Sequence, residues 1–254
     1  MSPSFKGIRK LFSYRGGRSQ ETADPGSKIF HYRLDGQDEK SRIHLRLDPG
    51  GTGTLIVNAN RIMHLNPTAA LMAHLILEKR PEEEALRTIQ AQYSVGADDA
   101  RRDLAAIRGQ LEELVRPDGA CPIHDLELET VAPFSARPTA PYRLDLALTY
   151  RCNNDCAHCY NVEGRDLQEL TTDQWKAVLD KAWELGVPHI IFTGGEPTLR
   201  DDLPELISHA ERNGQITGLN TNARRLSDER FVARLVDAGL DHVQITLESS
   251  QPEV

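Results

Sequence analysis

The chain has 254 residues, of which 39% are hydrophobic and 27% are charged, and its formal net charge is −8 at pH 7. This length allows two domains, and the acidic balance argues against general nucleic-acid binding. No apolar stretch is long enough to span a membrane, and nothing marks a secreted chain. We therefore expect a cytoplasmic protein that binds neither nucleic acid nor membrane.

Residues 1–28 form a basic segment without a continuous apolar core. Its basic residues are Lys6, Arg9, Lys10, Arg15, Arg18 and Lys28. The lack of an apolar core excludes a signal peptide. The composition predicts a disordered tail, and a short helix that touches a partner or an acidic surface is the alternative.

Residues 29–116 are predicted to be the first folded unit, with four β-type runs followed by three helices. The runs are residues 29–34, 42–47, 54–57 and 61–65, with a tight reversal at residues 58–60. Asn66 is a good N-cap for the first helix, and Pro67 suits its first position. The second and third helices are predicted to start at Pro81 and Asp98, and all three carry apolar residues at helical spacing.

This order of elements, with the segment Leu65-Asn-Pro-Thr-Ala-Ala70 opening a helix, resembles PqqD-like domains, the recognition elements of ribosomal peptide modification. The resemblance implies a small α+β, winged-helix-like unit. It also implies that a leader peptide adds a strand to the sheet edge near residues 54–65 and lies against the third helix, so that backbone hydrogen bonds give affinity. The alternative is a winged-helix module that binds something else, or only the rest of the protein.

Residues 117–141 are predicted to be a linker, because proline at high density argues against regular structure. The prolines are Pro117, Pro122, Pro133, Pro138 and Pro141. Cys121 lies in this segment. An isolated cysteine is more often a plain thiol than a ligand of an accessory cluster, so we assign it no role.

Residues 142–254 alternate strand and helix, which is typical of parallel α/β architecture. The predicted strands are residues 144–149, 189–193, 216–220 and 242–247. Thr171 and Gln174 predict a capping box for the helix after the first strand. The next helix is predicted over residues 203–212, and the last one from Ser227.

Three cysteines follow the first of these strands. Cys152, Cys156 and Cys159 have C-x3-C-x2-C spacing in one short loop. A [4Fe–4S] cluster normally takes four cysteine ligands, so a cluster held by three keeps one iron open to a substrate. Structural zinc is an alternative, with Cys121 or His158 as the fourth ligand. A disulfide is the weakest alternative, because nothing indicates secretion.

About 35 residues later, roughly one strand–helix–strand step, the second strand ends in Gly194-Gly195-Glu196-Pro197. The cysteine loop and this turn together resemble the radical S-adenosylmethionine (radical SAM) enzymes. The resemblance runs in order through residues 142–254 and implies a partial (β/α) barrel with about four of the six strand–helix units of that family. Because the segment after strand five is missing, we expect a fragment or a truncated gene product, with an unpaired edge on the fourth strand.

The resemblance places functional groups at the carboxyl ends of the strands. The three cysteines would hold the cluster. Gly194 and Gly195 would allow the backbone to approach S-adenosylmethionine (SAM). Glu196 would accept from its ammonium group, and Pro197 would stiffen the turn. The other cofactor-binding candidates are His158 and Tyr160 beside the adenine, Glu248 and Ser249 near the ribose, and Thr221 and Asn222.

The chemistry that the resemblance implies is reductive cleavage of SAM to methionine and a 5′-deoxyadenosyl radical, with a donor such as flavodoxin or ferredoxin supplying the electron. The predicted function is the modification of a ribosomally synthesised peptide that is bound through its leader. One alternative is a radical SAM enzyme that acts on a small molecule such as a tetrapyrrole. Another is a zinc-stabilised, noncatalytic binding module.

Overall fold

The computed structural model describes residues 26–35, 40–59, 61–115, 139–159, 161 and 167–246. The chain divides into two compact units, and the boundary in the sequence falls between Thr139 and Ala140. Most of the predicted basic tail and linker lies outside the described residues, so the bounds of these two segments stay predictions. No helix in the described ranges has both the length and the apolar composition needed to cross a membrane.

An antiparallel sheet opens the first unit, and each of its described strands pairs with the next. The strands are β1 (Lys28–Asp35), β2 (Lys40–Leu47), β3 (Gly53–Val57) and β4 (Arg61–Leu65). Between β3 and β4, Asn58 and Ala59 have φ values of 49° and 59°. Left-handed residues of this kind turn a hairpin sharply, which confirms the predicted reversal.

Helices follow the sheet, as predicted: α1 (Pro67–Leu77), α2 (Glu82–Gln92) and α3 (Ala97–Val115). The Asn66 side chain accepts from the backbone N–H of Ala69 at 2.8 Å and so caps α1. The apolar faces of sheet and helices share one core, which includes Ile43, Leu45, Leu55, Met72, Ile89, Leu104 and Leu111. Burying each such side chain contributes about 1.5–3 kcal/mol, so this core is the main source of stability for the unit.

The second unit contains a parallel sheet with its described strands in chain order. The strands are β5 (Arg143–Thr149), β6 (His189–Gly194), β7 (Ile216–Thr221) and β8 (His242–Ile245). Between them run α4 (Thr172–Glu184), α5 (Leu203–Asn213) and α6 (Glu229–Asp237). This alternation confirms the mixed α/β fold with four strands of a (β/α) barrel. The carboxyl ends of all four strands therefore point to the same edge of the sheet.

Local signals set two of the helix starts. The predicted capping box of α4 is present, since Thr171 Oγ1 accepts from Gln174 N at 3.3 Å and Gln174 Oε1 accepts from Thr171 N at 2.9 Å. The prediction that the last helix starts at Ser227 was wrong. The Ser227 hydroxyl donates to the carbonyl of Arg224 at 2.9 Å inside a 3₁₀ turn. Asp228 therefore caps α6 instead.

Within the described residues, β8 is an edge strand of the sheet and pairs only with β7. Its four residues are exposed, among them Val243 and Ile245. The strand ends at Ile245, and the predicted last residue, Leu247, lies outside the described ranges. An exposed apolar edge of this kind is a surface that pairs readily with another strand.

Candidate active site

The three cysteines lie in the cysteine loop, residues 150–170, which joins β5 to α4. The structure describes residues 150–159, 161 and 167–170 of it. Cys152, Cys156 and Cys159 are free, half-buried thiols. The backbone N–H of Cys159 donates to the carbonyl of Cys156 at 3.0 Å. This bond closes a turn that places His158 on the surface.

The arrangement of the thiols bears on the choice of metal. A zinc ion needs all its ligand atoms within about 2.3 Å of one point, whereas the thiolates of a [4Fe–4S] cluster bind different irons. In the part of the chain that the structure describes, no three His, Cys, Asp or Glu side chains are arranged to hold a metal ion. Cys121 lies outside the described residues.

The turn after β6 packs against the start of the cysteine loop. Gly194 has a φ of 130°, and a Cβ on it would lie 2.1 Å from the carbonyl oxygen of Thr149. A Cβ on Gly195 would lie 2.3 Å from the carbonyl oxygen of Arg151. The N–H groups of Gly195 and Glu196 donate to these same two carbonyls at 2.8 and 2.9 Å. The close approach that the glycines allow here is to the chain's own backbone. Their approach to SAM stays a prediction.

Glu196 joins the end of β6 to the end of β7. Its side chain is 1% exposed. Its Oε1 accepts from Thr198 N at 3.1 Å, Thr198 Oγ1 at 2.6 Å and Thr221 Oγ1 at 2.7 Å, and its Oε2 accepts from Asn222 N at 2.7 Å. A carboxylate has about four lone-pair positions. Three of these donors meet Oε1 and one meets Oε2, and the predicted contact with the ammonium group stays a prediction.

The turn after β7 holds the first part of the cysteine loop. Asn222 Nδ2 donates to Asn153 Oδ1 at 2.8 Å and lies 4.0 Å from Cys152 Sγ. Arg224 Nη1 donates to Asn154 Oδ1 at 2.9 Å. The backbone N–H of Asn154 lies 3.4 Å from the same cysteine sulfur. The position of Cys152 therefore depends on β7 as well as on β5.

Glu169 closes the neck of the cysteine loop. Its carboxylate accepts from Thr149 Oγ1 at the start of the loop, from Arg151 Nε at 2.8 Å and from Arg200 Nη1 at 3.0 Å. The hydrogen bond from Arg151 lowers the pKa of Glu169 below its ordinary value, against an opposing effect of burial. The carboxylate thus stays ionised at neutral pH and holds the two ends of the loop together.

Arg200 supports this neck from the β6 side. Its guanidinium is 8% exposed and donates to Asp202 through Nε and Nη2 at 2.9 and 2.6 Å. It also donates to the carbonyl of Leu170 at 3.1 Å. Further along the loop, Asn161 Nδ2 donates to the carbonyl of Gly194 at 2.9 Å. The cysteine loop is therefore attached to β5, β6 and β7.

Comparison with protein families agrees with this geometry. Residues 146–254 match the family model of the radical SAM superfamily. This part of the chain is therefore similar to the radical SAM superfamily. Residues 44–114 match the model of coenzyme PQQ synthesis protein D, PqqD. Both predicted resemblances are thereby confirmed, and the superfamily implies a [4Fe–4S] cluster and SAM as cofactors.

Two curated relatives are named PqqA peptide cyclase. That of Rhodopseudomonas palustris is 46% identical over 117 residues, which are 45% of this chain and 30% of the relative. That of Bradyrhizobium diazoefficiens is 48% identical over 110 residues, which are 42% of this chain and 29% of the relative. The matched residues thus span less than a third of either relative.

Solved structures of Streptococcus suis SuiB are also similar. SuiB bound to S-adenosylmethionine shows 20% identity and a TM-score of 0.47, over 79% of this chain and 45% of that one. SuiB bound to precursor peptide SuiA shows 18% identity and a TM-score of 0.46, over 84% of this chain and 47% of that one.

The residues of the radical SAM domain fit a cluster. Cys152, Cys156 and Cys159 would hold it, since they are free, half-buried and carried by one loop that neighbouring strands fix. Thr221 is 4% exposed and engaged with Glu196. Three cofactor-binding candidates, Tyr160, Glu248 and Ser249, lie outside the described residues and stay predictions.

Sequence reasoning missed several residues that hold the loop: Asn161, Glu169, Arg200 and Arg224. Each is a polar or charged residue without a motif of its own, and such residues are most often exposed and solvated. Arg200 could have been predicted to lie near the site, because it follows the Gly-Gly-Glu-Pro turn by three residues.

Proposed function

We propose that this chain is part of a radical SAM enzyme that modifies a ribosomally synthesised peptide bound through its leader. The observation that carries the proposal is that one chain contains both a PqqD match and a radical SAM match. Relatives 46% and 48% identical over their matched residues carry the name PqqA peptide cyclase, which supports a peptide as the substrate.

In this proposal the protein binds and orients, and the cofactors supply the chemistry. Cys152, Cys156 and Cys159 would hold the cluster through their thiolates, and the cluster together with SAM and a donor such as flavodoxin or ferredoxin would supply radical chemistry at a carbon of the substrate. The turns after β6 and β7 fix the loop that carries the three cysteines, so that the cluster has a defined position.

The PqqD unit offers a sheet edge to the leader. Since β3 pairs with both β2 and β4, the free edge in the predicted stretch is β4 within the described residues. The guanidinium of Arg61 on β4 donates to the carbonyl of Leu114 near the end of α3. The first residue of β4 is therefore tied to the end of α3, which supports strand addition with packing on the third helix.

Titration of the 254-residue chain with the peptide encoded beside its gene tests the proposal. Amide hydrogen exchange should show new protection in β4 and α3. A peptide with proline in its central register should bind more weakly, because proline cannot donate to the strand ladder. Protection confined to the radical SAM unit, or no binding of any neighbouring peptide, would contradict the leader-binding role and favour the small-molecule alternative.

A further inference from the structure

We infer that Glu196 and Asn222 form a positioning pair for Cys152, and that the Asn222 amide sets the reduction potential of the cluster through the Cys152 sulfur. The inference rests on the proposed function, because it requires a cluster on the cysteine loop. It assigns Glu196 a role other than the ammonium contact that the sequence predicts.

The Asn222 amide group has a defined orientation. Its Oδ1 accepts from the backbone N–H of Arg224 at 3.1 Å, which turns Nδ2 towards the cysteine loop. Nδ2 carries two hydrogens and meets two acceptors, Asn153 Oδ1 at 2.8 Å and Cys152 Sγ at 4.0 Å. The bond to Asn153 holds the amide beside the cysteine, and the second hydrogen of Nδ2 is left for the sulfur 4.0 Å away.

Glu196 fixes the backbone from which this amide extends. Its Oε2 accepts from Asn222 N at 2.7 Å, and its Oε1 accepts from Thr221 Oγ1 at 2.7 Å. The Thr221 hydroxyl oxygen in turn accepts from Ala223 N at 3.0 Å. Because the carboxylate is buried, these charge-assisted bonds are strong. Among the described residues, the Glu196 side chain is bonded to Thr198, Thr221 and Asn222, so it acts on the cysteine through Asn222.

A donor beside a thiolate ligand changes the redox properties of a cluster. Hydrogen bonds to the sulfurs stabilise the more negative, reduced state and are among the factors that set the reduction potential. Cys152 Sγ has two such donors among the described residues, the Asn222 amide and the backbone N–H of Asn154 at 3.4 Å. The first can be removed by substitution, whereas the second cannot.

Redox titration of the anaerobically reconstituted 254-residue chain, followed by electron paramagnetic resonance, tests the inference. Asn222→Ala should move the midpoint potential to a more negative value. Asn222→Asp should move it further, because it adds a negative charge near the sulfur. The matched control is Asn213→Ala, which removes a 2.9 Å bond to Asp180 at the amino end of β7, the far end of the strand. Its potential should equal that of the unsubstituted chain.

The role of Glu196 is tested by a double-mutant cycle. Glu196→Ala should shift the potential in the same direction as Asn222→Ala, and the double variant should shift it no further than Asn222→Ala alone. Additive shifts would overturn the positioning role. A Glu196→Ala variant that weakens SAM binding at an unchanged potential would also overturn it, in favour of the ammonium contact.

The proposed function and the inference fail in different ways. A chain that takes up no iron and sulfide would overturn the proposed function and the inference together. A normal cluster with an unchanged potential in both Asn222 variants would overturn the inference alone. If Glu196→Ala does not fold, the two Asn222 variants still decide whether the amide tunes the cluster.

Discussion

Removing Arg200 should destabilise the radical SAM unit strongly. Its guanidinium is 8% exposed and lies between the carboxylates of Glu169 and Asp202 at the neck of the cysteine loop. Arg200→Met keeps much of the side-chain volume but removes every donor. Both carboxylates would then lose a charged partner while the fold keeps them away from bulk water.

The size of the loss follows from burial. Removing one partner of a buried charge pair costs about 3–5 kcal/mol. Glu169 and Asp202 keep 23% and 18% of their side-chain surface exposed, so water can solvate them in part. We therefore expect the lower end of this range, about 3 kcal/mol. At about 4 °C for each kcal/mol, the thermal midpoint of the unit should fall by about 12 °C.

Urea unfolding followed by tryptophan fluorescence measures this loss selectively, because both tryptophans of the chain, Trp175 and Trp183, lie in α4. Arg143→Met is a matched control, since Arg143 also donates through Nε and Nη2 to an aspartate two residues away, Asp145. That pair is 55% and 41% exposed, so its loss should cost about 0–1 kcal/mol. Equal losses in the two variants would refute the argument from burial.

Three further predictions concern other positions. Gly194→Ala should abolish iron uptake, because the added Cβ would lie 2.1 Å from the carbonyl oxygen of Thr149 and would displace the cysteine loop. Gly109→Ala is the control and should leave iron uptake intact, because its added Cβ would have no atom within 4 Å. In calorimetry, Gly109→Ala should stabilise the first unit by about 0.5–1 kcal/mol, since glycine disfavours a helix interior, and a loss of stability would contradict this. Burial lowers the pKa of His189 to about 4, below its unfolded value of about 6.5. Between pH 6.5 and pH 4 the unfolded state therefore binds more protons than the folded state, so the free energy of unfolding should fall as the pH drops through this range. Unfolding monitored by fluorescence measures this fall, and His189→Gln should make the free energy of unfolding depend less on pH.

The sequence was sufficient to predict most elements, because their signals are local. Asn66 with Pro67, and Thr171 with Gln174, each satisfy backbone groups within one helical turn, so their caps could be assigned without knowledge of the fold. Ser227 shows the limit of this reasoning. Its hydroxyl could cap a helix, but the preceding 3₁₀ turn uses it and leaves the cap to Asp228.

The functional loop was predicted from its cysteines, but the contacts that hold it could not be. Glu196 meets Thr221 and Asn222 across 25 and 26 residues of sequence, and Arg200 meets Glu169 across 31. Such pairs arise only when parallel strands bring their carboxyl ends to one edge. A single sequence names the residues at that edge but does not show which of them bond to each other.

Metal analysis of the anaerobically reconstituted chain tests the central claim most directly. The account predicts about one [4Fe–4S] cluster per chain, with thiolate-to-iron absorption. Cys156→Ala should abolish this cluster, and Cys121→Ala should leave it intact. Stoichiometric zinc on the cysteine loop, with no uptake of iron or sulfide, would contradict the account.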